Sequence, residues 1–171
     1  MTGTDTGVGK TIFSLLIMQY LFAGGFSPFY LKPAQTGCID PYDEDSDAGF
    51  IYRHVPQLRE KDPAASVVYC FKNPKAPWFA ARDEDAAIDI DVISRAVSQK
   101  ITGHSHLIIE GAGGLMVPVN DSLMMVDLIE IFNAVPLIVA RAGLGTINHT
   151  LLTLDLLQKR GIRVGGVVFM D

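Results

Sequence analysis

Cysteine is scarce in this chain: Cys38 and Cys70 are the only two among 171 residues. They lack the paired spacing of a zinc site and are too few for a disulfide framework. Both are expected to be ordinary thiols of a reducing compartment, the cytoplasm. Positive charge is also short, with 14 lysines and arginines against 19 aspartates and glutamates and a formal net charge of -5. No dense basic stripe is present, which excludes a surface built for a nucleic-acid backbone. No apolar run reaches the length of a membrane span, and no charged-then-apolar leader precedes the first motif. An unexported protein without a membrane partner is the expectation. The four histidines, at positions 54, 104, 106 and 149, show no acid or nucleophile pattern and are read as structural or exposed. The single tryptophan, Trp78, is read as packing, and the acids from Asp40 to Asp47 as a largely solvated loop.

What is present is apolar bulk and glycine. Hydrophobic residues make up 49% and charged residues 19% of the chain, enough to bury a sizeable core in one domain. The 16 glycines cluster at the ends of apolar runs, and the first cluster is the most informative. Thr2-Gly3-Thr4-Asp5-Thr6-Gly7-Val8-Gly9-Lys10-Thr11 is a glycine-rich turn that ends in Gly-Lys-Thr before an apolar helix. Gly7 and Gly9 let the backbone curl so that its N–H groups, together with the helix N-terminus, face anionic oxygens. Lys10 reaches the outer phosphates of a nucleotide, and the Thr11 hydroxyl suits Mg²⁺. Five residues separate Gly3 from Gly9 instead of the usual four, so this is a phosphate loop one residue longer than usual. Nucleotide chemistry is the leading expectation.

The rest of the chain repeats strand and helix. A helix is predicted from Thr11 to Ala23, capped by Gly24-Gly25. Short apolar runs without alternation predict buried parallel strands at Phe29–Leu31, His106–Ile109, Leu137–Ala140 and Val164–Val168. Three- and four-residue apolar spacing predicts helices at Asp91–Lys100, Met125–Phe132 and Thr146–Arg160. Residues Pro41 to Arg82 are less regular and read as loops and short helices, with one strand at Val67–Phe71. The fold class is α/β, a phosphate-loop NTPase-like, doubly wound, mainly parallel sheet with helices on both faces. Only Met1 and Thr2 precede Gly3, and the chain stops just after Val164–Met170. The expectation is a single domain over residues 1–171 that lacks its first strand and a C-terminal segment.

Ligands in such sheets sit beyond the carboxyl ends of the strands. Lys32 closes the run Leu31-Lys32-Pro33, where an ammonium group can meet phosphate or a developing anion. Glu110 closes Ile108-Ile109-Glu110 ahead of Gly111-Ala112-Gly113-Gly114 and is placed to bind Mg²⁺ directly or through water. Asp47 cannot be separated from Asp43, Glu44 and Asp45 by spacing alone. Ala142 to His149 opens a long helix whose free N–H groups suit a carboxylate.

These stretches, with Pro33 to Gly37, Ser46-Asp47-Ala48, Val117-Pro118 and Gly143-Leu144-Gly145-Thr146-Ile147-Asn148-His149, resemble dethiobiotin synthetase in order and spacing along nearly the whole chain. The resemblance implies ATP- and Mg²⁺-dependent ring closure of 7,8-diaminononanoate with CO₂, through a carbamate and its phosphorylated form, releasing ADP and phosphate. It implies a catalytic Lys32 aided by Lys10 and Thr6. Nucleotide contacts fall on Gly7, Val8, Gly9, Lys10, Thr11, Ile12, Asp47, Glu110, Gly111, Ala112 and Gly113, and metal contacts on Thr11, Asp47 and Glu110. Substrate contacts fall on Lys32 and Thr36 and, from the neighbouring subunit of a homodimer, on Leu144, Gly145, Thr146, Ile147 and Asn148. Three positions depart from the family pattern. Gly7 stands where some members have Glu, Trp78 where His is frequent, and Met170-Asp171 where an Asn tends to read the base.

Two other readings share the fold. A switch ATPase of the ParA or MinD type would carry a second lysine early in the loop, where Thr4 and Asp5 stand, and a basic patch or amphipathic tail, neither of which is visible. A cobyrinate-type amide synthase would add a glutaminase domain.

Overall fold

The computed structural model describes residues 1–171. Twelve elements alternate along the chain. They are β1 (Thr2–Gly3), α1 (Lys10–Ala23), β2 (Pro28–Thr36), α2 (Asp47–His54), β3 (Val67–Phe71), α3 (Pro77–Asp83), α4 (Ile90–Gly103), β4 (His106–Ile109), α5 (Met125–Ile131), β5 (Leu137–Arg141), α6 (Thr146–Lys159) and β6 (Gly166–Met170). Two short 3₁₀ turns, Pro56–Leu58 and Pro63–Ser66, lie between α2 and β3.

Every paired strand runs parallel. One three-stranded sheet has the order β3-β2-β4 and the other β1-β5-β6. Residues at Met1 and in β1 join them: the Met1 amino group donates to the Ile109 carbonyl, and the Gly111 N–H donates to the Met1 carbonyl. Gly3 forms a parallel bridge with Gly114. Beside this junction an apolar groove of about 320 Å³ runs between β4 and β5, walled by Ile101, Leu107, Ile109, Met125, Leu128 and Phe132 among others.

Alternation along β2 explains the layers, because successive side chains leave opposite faces of a strand. Tyr30 joins Met18 of α1 and Ala48, Ile51 and Tyr52 of α2 in one core. Leu31 joins Ile93 and Val97 of α4 with Met125 and Leu128 of α5 in the other. A third cluster, Leu115, Val126, Ile138 and Leu157, seats α5 and α6 against β5. Helices therefore cover both faces, the doubly wound α/β arrangement expected. No helix is long and apolar enough to cross a membrane.

One strand boundary departs from the sequence reading. β2 continues through Pro33 to Thr36, beyond the Phe29–Leu31 that the apolar run predicts. Its first half pairs with β4, Pro28 to Leu31 against His106 to Ile109. From Lys32 to Thr36 it pairs with β3. Pro33 lacks an N–H and reads as a strand breaker, yet it falls just past the end of the β4 register. Lys32 consequently projects from the middle of a strand. The C-terminal strand is also shifted, to Gly166–Met170, so that Val164 and Gly165 precede it.

Candidate active site

The loop ahead of α1 has the backbone its glycines predict. Gly7 and Gly9 take φ of +69° and +94°, the left-handed region where a Cβ is penalised, and Gly9 is the N-cap of α1. A Cβ on Gly3 would stand 2.8 Å from the Asp5 carbonyl and 2.9 Å from a Val8 methyl, so the loop closes tightly on that residue. Lys10 follows with its side chain folded over the loop, its Nζ donating to the Asp5 carbonyl at 2.9 Å.

A cleft of about 560 Å³ opens beside the loop. It gathers Thr6, Gly7, Gly9, Lys10, Thr11 and Ile12 from the loop and α1, Lys32 and Thr36 from β2, Asp47 from α2, and Glu110, Ala112 and Gly113 from beyond β4. Gly111 instead faces the apolar groove, and Val8 is buried against the loop's far side. Leu144 and Thr146 border a separate crevice of about 60 Å³ with Thr4, Asp5, Arg141 and His149. The segment 144–148 therefore does not reach the cleft of its own chain. Leu144 is fully exposed and Ile147 largely so.

At the cleft floor Lys32 lies between two carboxylates. Its Nζ is 2.6 Å from Asp47 Oδ2 and 3.0 Å from Glu110 Oε1, and its side chain is only 5% exposed. Burial pushes this ammonium's pKa down, but Glu110 and Asp47 outweigh that and hold it above the ordinary lysine value. Burial likewise raises the Asp47 carboxyl, and Lys32 and the Thr11 hydroxyl bring it below its usual range. Lys10 is lowered by burial and by the nearby Lys32 charge. Thr11 Oγ1 lies 2.6 Å from Asp47 Oδ1 and 2.9 Å from Glu110 Oε1, so one hydroxyl and two carboxylates converge.

These hard oxygen donors fit Mg²⁺, which is commonly held by one or two carboxylates while keeping waters and nucleotide phosphates. No group of three or more His, Cys, Asp or Glu side chains that could hold a metal ion is present. Asp47 is thereby distinguished from its acidic neighbours. It is the first residue of α2, with Ser46 as N-cap accepting from the Gly49 N–H, whereas Asp43 turns back to accept from the backbone N–H groups of Ile39 and Asp45.

Two buried polar residues at this site were not singled out in the sequence. Gln35 Oε1 accepts from the Asp47 N–H at 3.2 Å. Ser14, fully buried, donates to Glu110 Oε2 at 2.7 Å. A serine one turn beyond Lys10 in a helix otherwise apolar on that side was the available signal. The wall formed by Pro74, Lys75, Ala76 and Pro77 carried none. The histidines behave as read: His54, His104 and His106 pack on Phe50, Phe29 and Phe26. Trp78 packs on Phe79 under the Arg82 guanidinium.

A family model described as an AAA domain matches residues 1–171. An ATP-dependent dethiobiotin synthetase of Hydrogenobaculum sp. is 39% identical over 170 residues, covering 98% of this chain and 74% of that protein. One from Paramagnetospirillum magneticum is 41% identical over 168 residues, covering 98% and 73%. The chain belongs to the dethiobiotin synthetase family. With the family comes the ATP-dependent ligase class, cyclo-ligases of biotin biosynthesis with a phosphate loop. The same domain also occurs fused in this family: a bifunctional biotin biosynthesis protein of Bordetella avium is 38% identical over 168 residues, which make up 33% of its length.

Proposed function

We propose that this chain, working as a single phosphate-loop domain in the cytoplasm, closes 7,8-diaminononanoate and CO₂ into the cyclic urea dethiobiotin at the expense of ATP. One amine takes up CO₂ as a carbamate. A carbamate oxygen then accepts the γ-phosphoryl group of ATP, releasing ADP, and the second amine attacks the activated carbonyl, forming the ring C–N bond and expelling phosphate. The observation that carries this reading is the buried Lys32 ammonium between Asp47 and Glu110, opposite the phosphate loop in one cleft.

The protein's part is placement and charge. Phosphoryl transfer depends chiefly on positioning and electrostatic stabilisation, and no protein nucleophile is required. The loop N–H groups and Lys10 hold the phosphates. Lys32 neutralises the carbamate and the charge that grows on the transferring group, while Thr6 and Thr36 orient the carbamate. Thr11, Asp47 and Glu110 would hold Mg²⁺, which supplies charge neutralisation across the phosphates when bound.

The diamine's carboxylate tail falls to residues 144–148 of a second copy, because they do not line the cleft of their own chain and open α6, where the Ile147 and Asn148 N–H groups have no backbone acceptor. Apolar stripes left exposed on α1 (Ile12, Leu16, Tyr20) and α6 (Ile147, Leu151) support a homodimer. The test supplies diaminononanoate, bicarbonate and MgATP and follows dethiobiotin and phosphate by mass spectrometry. Formation of both is the expected result. ATP hydrolysis indifferent to the diamine, with no dethiobiotin, would reject the reading.

A further inference from the structure

We propose that Ser14 is a positioning residue of this site: it anchors one oxygen of Glu110 so that the other is presented to the cleft. The proposal rests on the reading of Glu110 as a Mg²⁺ ligand.

Ser14 lies four residues beyond Lys10, on the same face of α1. It is completely buried and does not line the cleft. A serine inside a helix ordinarily turns its hydroxyl to the carbonyl four residues back or to solvent. Here the hydroxyl proton is donated across the fold to Glu110 Oε2; the buried Tyr30 hydroxyl, which has no hydrogen-bond partner of its own, also stands beside Glu110. Both other partners of the carboxylate, Thr11 Oγ1 at 2.9 Å and Lys32 Nζ at 3.0 Å, meet the opposite oxygen, Oε1.

Two bonds to a single oxygen leave the carboxylate free to swing about it, since the terminal torsion of a glutamate is soft. Thr11 and Lys32 also have other work. Each lines the cleft, where a bound metal, phosphate or carbamate competes for it. Ser14 cannot reach those ligands, so it is the partner Glu110 keeps whether the cleft is filled or empty. Its bond sets the plane of the carboxylate and the direction of Oε1.

The consequence is specific to metal-dependent binding. Nucleotide affinity is measured by calorimetry twice, once with Mg²⁺ and once with excess EDTA, using ADP as the probe. In Ser14→Ala the tightening contributed by Mg²⁺ should shrink about tenfold, the size of one hydrogen bond to a charged group, while the affinity in EDTA stays unchanged. An undiminished Mg²⁺ effect, or an equal loss under both conditions, overturns the proposal.

Glu110→Gln is measured alongside. If it keeps the full Mg²⁺ effect, the metal-ligand reading of Glu110 fails and the role of Ser14 falls with it. If Glu110→Gln loses the effect and Ser14→Ala does not, Ser14 alone is ruled out. Adding Ser14→Ala to Glu110→Gln should cost nothing further in the Mg²⁺ effect, because the two act as one unit. Ser14→Cys, nearly the same size with a weaker donor, should fall between wild type and Ser14→Ala. It carries the test should the alanine variant not fold, and full retention of the Mg²⁺ effect by it would count against the proposal.

Discussion

Lys32 bears the largest consequence of any single side chain. With Asp47 and Glu110 it makes a trio of net charge -1, from one ammonium and two carboxylates, in which Lys32 and Glu110 are buried and Asp47 is partly exposed. Removing the cation leaves two carboxylates facing each other in a poorly hydrated site, a loss of about 3 kcal/mol or more in stability. Lys32→Ala should also lower turnover at least a hundredfold, the scale of losing one transition-state charge contact, yet still bind nucleotide through the loop. Denaturant titration, product assay and nucleotide calorimetry check the three parts, and turnover within tenfold of wild type would remove Lys32 from the chemistry. Cys38 and Cys70 show the opposite use of burial. Their sulfurs are 3.1 Å apart, and burial pushes both thiols above the ordinary range. The thiolate is the reactive form, so raising the pKa depletes it at any given pH. Neither thiol should be alkylated at pH 8 at the rate seen after denaturation, and equal rates by mass spectrometry would contradict that.

At the level of elements, the site depends on how α2 begins. Ser46 caps the helix by accepting from the Gly49 N–H at 3.2 Å, and Asp47 follows at once in the first turn. Ser46→Ala should cost about 1 kcal/mol, the usual worth of such a cap, which corresponds to a fall of roughly 2–4 °C in Tm for a chain of this size. A scanning-calorimetry shift near zero would mean that the Gln35 contact to the Asp47 N–H suffices to hold the turn. The helices and strands were legible where local signals agree. α1 stops at Gly24, and β4 spans His106–Ile109 as its apolar run indicates. The sequence reading ends β2 five residues early because Pro33 is a local veto that the strand evades by changing partners. Asp47 could not be picked from its acidic neighbours because that choice is made by Lys32 and Thr11, residues 15 and 36 positions away.

At the level of the whole molecule, exposed apolar surface asks for a partner. Ile12, Leu16 and Tyr20 follow one another at helical spacing on α1, and Ile147 and Leu151 on α6, all at least 41% exposed. The chain should sediment as a dimer, and Leu151→Glu should shift it to monomer. That monomer should lose at least tenfold in diamine affinity while keeping its nucleotide affinity, if the proposed contact of the diamine with the neighbour's residues 144–148 holds. A proven monomer with intact turnover would sink the shared-site reading.

What the sequence determined by itself was what rests on local covalent constraint. Glycine at positive φ, a lysine and threonine after it, and apolar runs of strand length decided the phosphate loop, the α/β alternation and the family resemblance. The tertiary structure alone decided which charges meet. Lys32, Asp47, Glu110 and Ser14 lie on four different elements or their ends, and only the parallel packing of β2 between β3 and β4, with α1 and α2 on one face, brings them within hydrogen-bond reach. Pairing at about 3 Å between residues 15 to 96 positions apart has no local signature, because its energy comes from burial and convergence and not from the chain's own neighbours.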